Sequence, residues 1–109
     1  MKLLIIFLLL GPATVKATTL ECKSFINLDE VSSSIVVPIL KNKILINKSS
    51  QITSYVTELK PSFFSVEAFI PNLQVRIYSE AAISNLDETI TATVWAQDIL
   101  VDVVCKKIK

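Results

Sequence analysis

Two cysteines, two pairs of adjacent carboxylates and one glycan-acceptor motif are the residues of this chain best placed to do chemistry. Cys22 and Cys105 are its only thiols. In an oxidising compartment an even pair is most simply one intramolecular disulfide, whose loop here would take in most of the chain and contribute roughly 4 to 5 kcal/mol on the chain-entropy model. An interchain bridge is the alternative, and a redox role lacks the CxxC spacing it would need. Asp29-Glu30 and Asp87-Glu88 are neighbours in sequence. Neighbours on a strand point to opposite faces and neighbours in a loop are solvated, so neither pair reads as a general acid/base dyad. A calcium site built on Asp87 and Glu88 would lack the Asp-x-Asp-x-Asp-Gly loop that makes such a site specific. Asn47-Lys48-Ser49 is the one N-x-Ser/Thr sequon, in a polar stretch between two apolar segments, and Asn47 is the expected glycosylation site.

What is missing excludes more. The 109 residues contain no His and one Gly, which removes the Ser/His and Cys/His nucleophile pairs, His-ligated zinc and glycine-built phosphate loops. No enzymatic activity, cofactor or metal is therefore expected. With 11 basic and 10 acidic groups the chain also lacks the clustered positive charge that nucleic-acid binding requires. Lys106, Lys107 and Lys109 are too few for firm attraction to an anionic membrane.

Residues 1–17 read as a secretory signal peptide: Lys2, an apolar core from Leu3 to Leu10, Gly11-Pro12, then small residues up to Ala17. Cleavage is expected after Ala17, with Ala13 and Thr18 as secondary sites. The apolar core is far shorter than the roughly 20 residues of a membrane-spanning helix. No integral membrane span is expected, and residues 18–109 form a single domain of a secreted protein, extracellular or in the lumen of the secretory pathway. Removing Lys2 and Lys16 takes the charge from +1 to about −1, and Gly11 leaves with them. Turns must then be built by Asn, Asp, Ser and Pro.

The elements around these residues follow from a period-two hydrophobic pattern. Leu20 and Cys22 alternate with Glu21 and Lys23 in a first strand. Ile35 to Leu40 and Ile44 to Ile46 form apolar runs around Lys41-Asn42-Lys43, read as a hairpin with an edge or bulge at Pro38. Ile52 to Leu59 is a further strand. Phe63 to Ile70 and Leu73 to Tyr78 are expected to close on a two-residue Pro71-Asn72 loop, with Glu67 opposite Arg76. Ser79 to Glu88 is the one helical candidate, with Ser79 as N-cap. Thr89 to Ala96 and Ile99 to Cys105 alternate as the last two strands. The sum is an all-β chain, a small antiparallel β-sandwich of immunoglobulin-like architecture with one short connecting helix. Membership of the immunoglobulin family is not implied. The core Trp after the first Cys and the corner Tyr before the second are missing, and Cys105 lies on the final strand.

On the face opposite the expected core of the last strands lie Trp95, Thr93 and Leu100, with Tyr78 and Phe69 outward on the central hairpin. If exposed, they offer an aromatic anchor within a polar rim, the anatomy of a protein-binding patch; if the strand phase is inverted, Trp95 is core instead. The expected function is that of a secreted, non-enzymatic module binding an extracellular or cell-surface protein through Trp95, Thr93, Tyr78 and Leu100. The alternative is a structural or assembly subunit, a homo-oligomer joined through an edge strand or an interchain disulfide.

Overall fold

The computed structural model describes residues 18–109; the signal-peptide reading of residues 1–17 lies outside them. Eight strands fold into two packed four-stranded sheets, a small β-sandwich. They are β1 (Leu20–Ile26), β2 (Asp29–Val36), β3 (Lys43–Lys48), β4 (Thr53–Lys60), β5 (Phe63–Ile70), β6 (Val75–Ala82), β7 (Thr89–Ala96) and β8 (Ile99–Lys107). One sheet has the order β2-β1-β8-β7 and the other β3-β4-β5-β6, antiparallel throughout. The connectivity is up-and-down, with the chain changing sheet only after β2 and after β6. Layering is shared with immunoglobulin domains, while the strand order is a meander in place of a Greek key.

Alternation sets the core. Leu20 and Cys22 on β1, Val56 on β4, Phe64 and Val66 on β5, Ile90 on β7, and Val101 and Val103 on β8 all point inward and are buried. Truncating a buried Phe such as Phe64 would cost about 3–5 kcal/mol. Cys22 and Cys105 are direct partners across the β1–β8 ladder, with Cα atoms 4.0 Å apart, and are joined by a fully buried disulfide over an 83-residue separation. This excludes the interchain bridge, since both thiols are consumed within one chain.

Three local expectations are corrected, and one strand appears where none was expected. The Ile35–Leu40 and Ile44–Ile46 runs do not form a hairpin: β2 and β3 belong to different sheets. Residues 37–42 carry the chain across, with Pro38 buried, Lys41 at φ 64° and the Lys41 N–H donating to the Glu58 carbonyl at 2.6 Å. The polar segment Asp29–Val36 is a strand, which its Ser-rich, mostly exposed composition conceals. As an edge strand, β2 gets its pairing from β1 and needs little burial of its own.

The loop between β5 and β6 is longer than two residues. Pro71–Leu73 form a 3-10 turn closed by Gln74 at φ 53°, because Pro cannot supply the positive φ of a tight hairpin turn. Ile70 therefore pairs with Val75 and Ala68 with Ile77, and Arg76 stands opposite Phe69 instead of Glu67. The slip is two residues, which keeps every side chain on its expected face. Finally, Ser79–Glu88 is no helix. Val75–Ala82 continues β6 along the whole length of β5, and residues 83–88 turn toward β7. Pairing with β5 outweighs a marginal local helix signal.

Candidate functional site

The β1–β2 and β7–β8 hairpin turns lie side by side at one end of the first sheet. Asn27 joins them: its backbone N–H donates to the Leu100 carbonyl at 2.8 Å, and the Leu100 N–H donates to Asn27 Oδ1 at 2.9 Å. This two-point clasp prolongs the β1–β8 ladder by one step and fixes the first turn against β8. Asn27 and Leu28 both have positive φ, 51° and 72°, the pattern of a type I′ hairpin turn built without glycine. Asn tolerates this conformation; for leucine it costs about 1–2 kcal/mol.

The second turn, Gln97-Asp98, connects Ala96 to its partner Ile99, with Gln97 at φ 57°. Just before it, Trp95 pairs with Leu100 and points away from the core. Trp95 is 78% exposed and Leu28 75% exposed, the two most exposed large apolar side chains of the described residues. Between the turns runs an open cleft of about 390 Å³ lined by Asn27, Leu28, Trp95, Gln97, Asp98 and Leu100. Thr93 and Asp102, two pairs further along β7 and β8 and on the same face, are bonded Oγ1 to Oδ1 at 2.5 Å. The cleft carries one carboxylate, Asp98, which is exposed and takes part in no ion pair among the described residues; Asp29 pairs with Ile26 across the β1–β2 ladder, on the core-side face of the sheet, and Lys23 is drawn to Glu30 at 3.5 Å.

Of the four surface residues expected to act together, the structure brings Trp95, Thr93 and Leu100 onto one face. Tyr78 stands on β6, on the outer face of the other sheet, 56% exposed and opposite Glu67. Its hydroxyl donates to Glu80 at 2.5 Å, and this bond to a carboxylate, then burial, raises its pKa above the ordinary tyrosine range. Glu67 pairs with Lys43 at 2.5 Å, and the Arg76 guanidinium lies 5.6 Å from the Phe69 ring. Sequence reading missed Leu28 and Asn27. The available signal was an Asn followed by a bulky apolar residue directly after the alternating first strand, a turn in which the apolar residue cannot be buried.

The remaining chemistry-bearing residues are engaged in the fold. Glu88 accepts hydrogen bonds from the Asn85 and Ser84 amides, both at 2.7 Å, and these hold its carboxyl below the usual range. Asp87, at φ 68°, donates its N–H to the Lys107 carbonyl, and Lys107 Nζ donates to the Ser84 carbonyl at 2.9 Å. Lys106 lies 4.0 Å from Glu21. Among the described residues no three or more His, Cys, Asp or Glu side chains are grouped to hold a metal ion. No helix among them is long and apolar enough to cross a membrane. Asn47 is the penultimate residue of β3, half-buried beside a register shift, and Ser49 of its sequon accepts the Ile52 N–H at 3.1 Å in the following turn. Set against protein-family models, characterised proteins and solved structures, the chain finds no match in any of the three.

Proposed function

We propose that the chain is a secreted, non-enzymatic protein-binding module that engages an extracellular or cell-surface partner through the Trp95–Leu28 cleft. The observation that carries this reading is that the two most exposed large apolar side chains of the described residues line one cleft, beside two turns held together through Asn27. Leaving a leucine in water forgoes about 1.5–3 kcal/mol of burial. Leu28 adds the cost of its backbone conformation, and a feature that costs stability twice in one place points to use. Trp and Leu within a polar rim are the anchor-and-rim arrangement of binding hot spots. The buried Cys22–Cys105 disulfide fits an oxidising compartment and supports export, with glycosylation at Asn47 as part of the same reading.

Trp95→Ala is expected to abolish capture of the partner from extracellular fluid or cell surfaces while leaving Tm within about 2 °C of wild type, as for a surface substitution. A large fall in Tm, or unchanged capture, would refute the assignment.

A second reading, self-assembly through an edge, has its own observation. Ile35, Val37 and Ile39 are exposed in alternation with buried Val36 and Pro38, along an extended segment that leaves the β1 ladder at Val36. Such a row suits strand addition by a second copy. Sedimentation of the wild type against Ile35→Lys/Ile39→Lys separates the readings: a dimer dissociated by the double substitution supports assembly, and a wild-type monomer at high concentration rejects it.

A further inference from the structure

Among the described residues, three aromatic rings have a cation of the chain itself over them. Lys43 lies 5.1 Å from the Tyr55 ring centre, Lys60 5.3 Å from Phe63, and Arg76 5.6 Å from Phe69. Trp95 offers the best cation-binding face of the common aromatic side chains, is the most exposed of them here, and has no such cation among the described residues. A carboxylate outside any ion pair among the described residues, Asp98, lines the same cleft.

From this combination, and resting on the binding role proposed above, we infer that the cleft receives an arginine side chain of the partner protein. The guanidinium plane stacks on the Trp95 indole, its N–H fork donates to the Asp98 carboxylate, and its aliphatic stem covers Leu28 and Leu100. Each part of the cleft has a matching part of arginine. A lysine ammonium would meet the charge without the plane or the fork, and a purely apolar side chain would desolvate Asp98 with nothing to pair it. An anionic group would face the unpaired Asp98 carboxylate. Once the partner covers the ring, the cation–aromatic contact is desolvated, which is where it is strongest.

The test uses the folded, oxidised protein, whose only tryptophan is Trp95. Four capped pentapeptides, Ser-Leu-X-Leu-Ser with X arginine, lysine, citrulline or glutamate, are titrated against Trp95 emission and the Trp95 indole N–H resonance. The arginine peptide is expected to bind saturably and about tenfold more tightly than the isosteric, uncharged citrulline peptide, more tightly than the lysine peptide, and more weakly as salt rises. The glutamate peptide is expected to leave both signals unchanged. Asp98→Asn should erase the arginine-over-citrulline preference while keeping the fold. Equal affinity for arginine and citrulline, equal affinity for arginine and lysine, or no saturable response overturns the inference. The underlying binding role is judged separately: partner capture lost with Trp95→Ala but indifferent to Asp98→Asn sinks the arginine assignment alone, whereas capture indifferent to Trp95→Ala sinks the cleft itself.

Discussion

Leu28 holds a conformation that glycine would hold at no steric cost, and it does so with its side chain in water. Stability and binding therefore pull against each other at this one position. Leu28→Gly removes the left-handed penalty, and although a glycine loses more freedom on folding, the net expected effect is a stabilisation of about 1 kcal/mol. The same change takes away one wall of the cleft, so partner affinity should fall as Tm rises. Chemical denaturation and a binding titration on the same preparation check both arms; a variant that loses stability, or binds as well as wild type, contradicts the role given to Leu28. Asn27 is legible as a turn residue from sequence, since Asn tolerates positive φ. Its clasp on Leu100, 73 residues away, is not.

Among the elements, the segment from Ile83 to Glu88 shows how a short turn is held by charge. Ile83 is buried and anchors it, while the Glu88 carboxylate accepts the Ser84 and Asn85 amides. Because Glu88 is lowered by these bonds, its contribution is present above the ordinary glutamate pKa and is lost as pH falls through the lowered value. Glu88→Gln is expected to lower stability slightly at neutral pH and to flatten its acid dependence, which thermal melts from pH 7 down to about 3 would show; an unchanged profile would mean that the turn does not depend on the charge. The strands were legible to very different degrees. Thr89–Ala96 and Ile99–Cys105 follow from period-two alternation, each with one buried face, and the last strand runs on to Lys107. β2 was hidden because an edge strand can be polar on most positions, and β6 was mistaken for a helix beyond Tyr78 because Ser79, Ala81 and Ala82 carry no strong preference. Its extended form is imposed by pairing with Phe63 to Val66 of β5.

For the whole molecule, the up-and-down path leaves the two terminal strands to find each other, and the β1–β8 ladder closes the first sheet. The disulfide crosses that ladder in the core. Replacing Cys22 and Cys105 together by Ala is expected to cost about 4 kcal/mol through the freed 83-residue loop, measured by denaturant unfolding. A loss below about 1 kcal/mol would show that the ladder alone holds the ends. The sequence by itself determined the all-β class, the inward and outward face of most strands, the pairing of its two cysteines as the simplest outcome, and that Asn, Asp, Ser and Pro must build the turns in place of glycine. These follow from local alternation and residue chemistry, and face parity survives even the two-residue slip between β5 and β6. Tertiary structure alone decided which sheet each strand joined, that Tyr78 and Trp95 would lie on the outer faces of different sheets, and that Leu28 would stand beside Trp95. The physical reason is that side-chain direction is a property of the backbone at each residue, whereas neighbourhood across strands depends on ladder pairing and sheet packing, to which distant segments contribute together.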